Sequence, residues 1–268
     1  MSAEPALLFE VSDSVATLTL NRPENRNSMT PDVLAGLAEG VARLRTDPGI
    51  RCAIVTGRGS SFCAGADFRS RGTPGAPADP AAPALPPHER SYATYAPFLS
   101  LLDVEIPVIA AMQGHAIGGG FGLALVCDLR VANRDAKYGA NFVRLGLSPG
   151  MATTYLMPRL VGLPRALELL LCGRIVDGAE AAMLGLANDA VAPDAVLTRA
   201  RELAREIASA APQAVRFTKR LVYAGVGWDP RQQARVEALY QSRTQETDDF
   251  REGVAALLAK REPKFEGS

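Results

Sequence analysis

The sequence predicts a mixed α/β core followed by an all-helical C-terminal part, and three observations carry that reading. Residues 7–57 alternate as strand, strand, helix, strand. Residues 107–132, PVIAAMQGHAIGGGFGLALVCDLRVA, read as strand, glycine turn, buried helix, strand. After a short strand at 188–191 no further strand pattern occurs, and from Pro193 onward apolar residues recur at helical spacing. The division is placed at 197/198, with an α/β core over residues 1–197 and a helical region over 198–268 that serves assembly rather than chemistry.

Residues 7–11 (LLFEV) and 15–20 (VATLTL) are short and β-rich, and Ser12-Asp13-Ser14 between them predicts a hairpin. A polar loop, NRPENRNSM, follows. Thr30-Pro31-Asp32 then supplies an N-cap, a first-turn proline and a first-turn acid, and Leu34, Leu37, Val41 and Leu44 form one apolar helical face. Residues 51–56 (RCAIVT) read as a buried strand, and Asp67 in SSFCAGADF reads as a helix start. Six prolines fall between Pro74 and Pro87 among alanines and glycines, which leaves little apolar surface to bury and forbids a helix. That stretch, 72–87, reads as a mobile flap. Tyr92, Tyr95, Leu99 and Leu102 predict a helix that Pro97 either begins or kinks. Beyond the central element, helices are predicted at 151–160, 164–172, 178–184, 194–210, 212–226, 230–246 and 248–260.

Composition excludes several classes of function. Lysines plus arginines equal aspartates plus glutamates at 29 each, so there is no basic field for nucleic acid or anionic lipid. Four cysteines without C-x-x-C spacing and only two histidines make a zinc site improbable and fit reduced thiols in a cytosol. The start MSAEPALLFEV has no basic n-region, and no apolar run reaches about 18 residues. Neither a signal peptide nor a membrane span is expected.

The chemistry is expected at two small-residue turns, Ala64-Gly65-Ala66-Asp67 and Gly118-Gly119-Gly120. Glycines let the backbone approach a ligand with its N–H groups bare, and a following helix adds the positive end of its dipole. The guest is an anion or an oxygen becoming one. Phosphate motifs are missing, since neither G-x-x-x-x-G-K-[ST] nor G-x-G-x-x-G is present here. If the two turns lie side by side, the N–H groups of Ala66 and Gly119 form an oxyanion hole from backbone alone.

The runs NRPENRNSM, SFCAGADF, IPVIAAMQGHAIGGGFGLALVCDLRVA, LGLSPG and DFREGVAALLAKREPKF, in that order over nearly the full chain, resemble the crotonase superfamily, the enoyl-CoA hydratase/isomerase family. The resemblance implies a crotonase-like core of repeated β-β-α units and a C-terminal helical trimerisation region, as a homotrimer or as a hexamer of two trimers. It implies fatty acid metabolism in the cytoplasm, with no permanently bound cofactor and coenzyme A present as part of the substrate. It also implies an acyl-CoA thioester whose carbonyl is held by the N–H groups of Ala66 and Gly119. By the same likeness Asn25, Arg26 and Ser28 meet the pantetheine and nucleotide phosphates, and Ala64, Asp67 and Phe68 surround the adenine end and the thioester. A guanidinium at Arg26 suits a phosphate, which it can grip with two parallel N–H groups.

The sequence departs from the family pattern where hydratases carry two glutamates, because those positions are Gly122 and Phe142 here. A further acid position of the isomerases falls at Gly150. Other proton carriers are His88 at the end of the flap, with Tyr138, Asn141 and Arg144 beside the vacated site. His115 reads as a structural residue, and Arg144 is a poor base because a guanidinium already holds its proton. Three classes of function follow. The first is an enzyme acting on an acyl-CoA enolate without the two-glutamate machinery; the second is an acyl-CoA binder without chemistry; the third is a hydratase with acids elsewhere.

Overall fold

A computed structural model describes residues 4–67 and 86–268. Phe68 and most of the stretch read as a flap lie outside the described residues, as does any helix opening at Asp67.

A hairpin starts the main sheet. β1 (Leu7–Ser12) and β2 (Val15–Leu20) pair antiparallel, and Asp13 and Ser14 turn the chain with φ of 51° and 61°. Two successive positive φ values match the right-handed twist of the flanking strands. α1 (Pro31–Thr46) follows and buries Val33, Leu37, Val41 and Leu44. Thr30 occupies its N-cap position, yet the hydroxyl donates to the Asp32 carboxylate rather than capping a helix N–H. β3 (Cys52–Gly57) is buried along its whole length.

Short strands missed in the sequence come next. β4 (Ser61–Cys63) precedes α2 (Pro87–Leu99), whose Pro97 sits near the C-terminal end, where the chain tightens into a 3₁₀ turn at Ser100–Asp103. β5 (Val108–Met112) runs to β6 (His115–Ile117), the glycine turn, and α3 (Gly119–Val126), which is buried on all sides. β7 (Leu129–Asn133) and β8 (Lys137–Gly139) follow, then a 3₁₀ turn at Phe142–Leu145. α4 (Thr153–Val161), α5 (Leu163–Cys172), β9 (Val176–Asp177), α6 (Gly178–Met183) and β10 (Asp189–Val191) complete the α/β part. α7 (Val196–Ala208), α8 (Pro212–Gly225), α9 (Pro230–Gln245) and α10 (Asp248–Ala259) form the helical tail.

The strands make two sheets. The larger has the order β1-β2-β3-β5-β7-β10, parallel except for the hairpin, and the smaller has the order β4-β6-β8-β9. Alternation along each large-sheet strand divides its residues between two cores. Leu18, Ala53, Val55, Ala110 and Met112 join α1, α3 and the smaller sheet in the main core. Val15, Cys52, Ile54, Ile109 and Val131 face the other way, onto α7.

α7 crosses the 197/198 division read from the sequence. Its Val196, Ala200, Ala204 and Ala208 are one helical stripe of small side chains, buried against the large sheet. It is the outer layer of the α/β core, and the chain leaves that core at Pro212. α8 is tied back to it by a cluster at Asp128. There Lys219 Nζ lies 2.7 Å from Oδ2, the Val108 N–H donates to the same oxygen at 2.7 Å, and the Tyr223 hydroxyl donates to Oδ1 at 2.8 Å. No helix of the described residues is long and apolar enough to cross a membrane.

Lys219 and Asp128 expose only 12% and 15% of their side chains, so loss of the ammonium leaves a poorly hydrated carboxylate. Lys219→Met is therefore expected to destabilise the protein by about 3 kcal/mol, read as a lower urea midpoint.

Candidate active site

The two small-residue turns meet. A Cβ placed on Gly65 would lie 3.0 Å from Gly119 N and 3.3 Å from Gly120 N, and one on Gly120 would lie 1.9 Å from Cys63 O. No side chain fits either place, and Gly65 also has φ +83°. Backbone against backbone is the only packing these two segments allow. Ala66 and Gly119 thus stand at the ends of neighbouring turns and line one cavity of about 320 Å³. Among the described residues neither of their N–H groups has a hydrogen-bond partner. Gly119 is the first residue of α3, where an N–H has no intrahelical acceptor.

The loop at 21–29 is sewn onto the first turn. Ala64 N donates to Arg26 O at 3.0 Å and Met29 N to Gly65 O at 2.9 Å. Asn25 Nδ2 donates to Asp67 Oδ2 at 3.2 Å, and the Ser28 hydroxyl donates back to Asn25 O at 2.7 Å. Asn27, which the sequence reading passed over, holds this arrangement. It is fully buried and donates to Arg58 O and Ser61 O at 2.9 and 2.8 Å while accepting from Arg22 N at 2.9 Å. Only the turn residues around it, NRPENRNSM, hinted at its role. Arg26 adopts φ 52° and is exposed, its carbonyl accepting from Ala64 N.

Gly122 and Phe142, where the resemblance leads one to expect glutamates, differ in surroundings. Phe142 lines the cavity with Met29, Ile117, Leu145, Leu147 and Met151. Gly122 does not, because Met151 covers it; a Cβ on Gly122 would lie 2.5 Å from Met151 Cβ. Met151 and Ala152 hold φ values of 57° and 54°, a costly pair for residues that carry a Cβ. That backbone aims the methionine at the glycine. A Cβ on Gly150 would lie 2.6 Å from the Tyr95 hydroxyl oxygen, so that position is also occupied by a neighbour.

The structure sorts the remaining proton carriers. His88 stands in the first turn of α2, 79% exposed, 3.6 Å from Glu89, and outside the cavity lining. Tyr138 is fully buried in the core. It accepts from Asn133 N at 3.0 Å and donates to Met112 O at 2.9 Å, and burial pushes its phenol up. Arg144 turns away and donates to Cys172 O at 2.7 Å. His115 accepts from Lys137 N at 2.9 Å, the structural role expected of it. Burial pushes the thiols of Cys52, Cys63 and Cys127 up to about 12, so none is a nucleophile at neutral pH. Asn141 does line the cavity, and its Oδ1 is buried with no hydrogen-bond partner among the described residues.

Comparison with known proteins decides the family. The profile described as enoyl-CoA hydratase/isomerase matches residues 10–268. The chain belongs to the enoyl-CoA hydratase/isomerase family. It is 38% identical over 265 residues to (E)-benzylidenesuccinyl-CoA hydratase of Thauera aromatica, covering 97% of this chain and 98% of that one. It is 36% identical over 261 residues to 1,2-epoxyphenylacetyl-CoA isomerase of Escherichia coli, covering 97% and 98%. Among solved structures, enoyl-CoA hydratase from Bacillus anthracis superposes with a TM-score of 0.89 at 30% identity, covering 98% of this chain and 100% of that one. The crotonase-like fold read from the sequence is thereby established, and the family's members are named both as hydratases and as isomerases.

Two substitutions test the packing over Gly122. Gly122→Ala is expected to cost about 1–3 kcal/mol, because Met151 Cβ is backbone-anchored and cannot swing aside. Ala152→Gly relieves a left-handed residue and is expected to stabilise by up to about 1 kcal/mol. Urea midpoints of the two variants check the opposite signs.

Proposed function

We propose that this enoyl-CoA hydratase/isomerase family protein binds an acyl-CoA thioester, holds its carbonyl oxygen between the N–H groups of Ala66 and Gly119, and acts on the resulting enolate without a pair of glutamates. The observation that carries this reading is the meeting of two unpartnered amides at one cavity that, among the described residues, no carboxylate lines. Two N–H dipoles fixed before the substrate arrives stabilise developing negative charge at no further reorganisation cost. That device serves every reaction passing through a thioester enolate. It does not by itself hydrate a double bond, which needs one group to take a proton from water and another to deliver one to Cα.

The polar loop fits the rest of the ligand. Asn25, Arg26 and Ser28 lie on the segment bonded to the first turn, with Asp67 held by Asn25, so a coenzyme A whose thioester enters the cavity has its phosphates near an exposed guanidinium. The walls formed by Phe142, Leu145, Leu147, Ile117 and Met29 suit an apolar acyl group. Calorimetric titration with acyl-CoA is expected to show binding that weakens about tenfold in Arg26→Ala and weakens further with added salt. No heat at any acyl chain length contradicts the reading.

Hydration of crotonyl-CoA is expected to be very slow. Each positioned acid or base contributes about 10²–10⁴ in rate, so lacking two lowers turnover by about 10⁴–10⁸ against a two-glutamate enzyme, or about 5–11 kcal/mol of barrier. Loss of the conjugated thioester absorbance at saturating substrate measures it. A turnover number in the ordinary range of about 1–10³ per second contradicts the account of Gly122 and Phe142.

Assembly as a trimer or a dimer of trimers belongs to the same proposal. α8 and α9 frame a groove of about 710 Å³ containing Phe217, Leu221, Val222 and Tyr240, and Leu257 and Leu258 on α10 are 77% and 80% exposed. Apolar surface of that extent on helices outside the core needs a partner. Light scattering at micromolar protein is expected to give three or six chains, and a monomer contradicts it.

A further inference from the structure

Among the described residues that line the cavity, Tyr95 is the one phenol. The others are apolar, hydroxyl or carboxamide groups: Met29, Ile117, Phe142, Ser91, Ser148, Asn141 and their like. α2 carries Tyr95 on the wall of that cavity, and its hydroxyl oxygen lies 2.6 Å from where a Cβ of Gly150 would stand. The pairing is specific to small side chains. Any residue larger than glycine at 150 would push the phenol out of place, so the missing Cβ is what leaves room for it. On the same cavity Asn141 presents a carboxamide whose Oδ1 is buried without a partner among the described residues. A buried acceptor with nothing to accept costs about 1–3 kcal/mol, a penalty that a donor brought by the ligand, or a turn of the carboxamide toward it, relieves.

We propose that Tyr95 is the proton carrier at Cα of the bound thioester, with Asn141 as the residue that positions the acyl group beside it. The proposal rests on the enolate reading of the Ala66 and Gly119 amides. In the forward step the Tyr95 oxygen, having given its own proton to water, takes a proton from Cα. The C–H pair becomes the enolate C=C bond, and the carbonyl π pair moves onto the oxygen facing the two amides. In the reverse step the phenol returns a proton to carbon, and exchange of the phenolic proton with water completes the cycle. Nothing is oxidised or reduced, and no leaving group is required. A single carrier that serves both directions suits proton exchange and double-bond migration, and it leaves hydration without a second group.

The test uses the full-length protein and two ligands. A cinnamoyl-type conjugated CoA thioester reports binding and carbonyl polarisation through a red shift of its absorbance. Phenylacetyl-CoA in D₂O reports Cα exchange by mass spectrometry, its benzylic C–H being acidified. Wild type is expected to give the red shift and to incorporate deuterium. Tyr95→Phe is expected to keep the dissociation constant and the red shift within twofold while exchange falls by about 10²–10⁴. Gly150→Ala is expected to lower exchange as well, by displacing the phenol, with the red shift intact. Asn141→Ala is expected to raise the dissociation constant or the half-saturating concentration more than it lowers the maximal exchange rate. Exchange in Tyr95→Phe within threefold of wild type overturns the assignment of Tyr95 and leaves the oxyanion reading standing. A red shift in wild type without any exchange overturns it in the same way. A bound thioester without a red shift in wild type overturns the enolate reading itself, and the Tyr95 assignment with it.

Discussion

The contact of backbone on backbone between the end of β4 and the start of α3 is the constraint on which the candidate site depends. Gly65 and Gly120 must both lack side chains for the two segments to approach as they do, with Cβ positions 3.0 Å from Gly119 N and 1.9 Å from Cys63 O. Once they touch, Ala66 and Gly119 have little freedom in where their N–H groups go. β4 and β6 are hydrogen-bonded neighbours in the smaller sheet, with Ser61 opposite His115 and Cys63 opposite Ala116, and this pairing brings the turns to the same end. α3 is buried on every side, so the site's rear wall is part of the core. Precision of this kind comes from rigid elements rather than from loops.

Around that fixed pair the rest of the molecule divides into support and access. Asn27 and the bonds from Ala64 and Met29 hold the 21–29 loop against the first turn, so the segment proposed to meet coenzyme A is fixed to the turn that carries Ala66. Two left-handed residues at 151 and 152 place Met151 over Gly122 and fill the space there. Strain kept at one corner of a site is consistent with a shape that serves function rather than stability. The cavity is lined by apolar groups, hydroxyls and the Asn141 carboxamide, with Tyr95 on its wall.

Much of this was legible in the residues, for identifiable reasons. The hairpin, α1 and the strand at 52–57 follow from period-2 and helical apolar spacing with ordinary turn chemistry. The glycine turn before a buried helix points to bare N–H groups there, although only the fold brings Ala64–Ala66 against it. The smaller sheet was not legible, because β4, β6, β8 and β9 are two or three residues long and too short to display alternation. The 197/198 division follows from the end of strand patterning, which is blind to α7, whose small side chains let it lie close on the sheet at Ile54 and Ile109. Met151 and Ala152 gave no warning of positive φ, which glycine or asparagine would have done. Tyr95 was visible only as one apolar position of a helix. Its approach to Gly150 is a tertiary fact, separated by more than fifty residues of sequence.

The central claim is that the amides of Ala66 and Gly119 polarise a thioester carbonyl. Difference infrared spectroscopy of a bound acyl-CoA carrying ¹³C at the carbonyl measures this bond directly in the intact protein. Two amide hydrogen bonds to the oxygen withdraw electron density from the C=O bond, so the account predicts a carbonyl band at lower frequency in the complex than in water, narrowed by a single fixed environment. A bound thioester whose carbonyl absorbs at or above its frequency in water would contradict it.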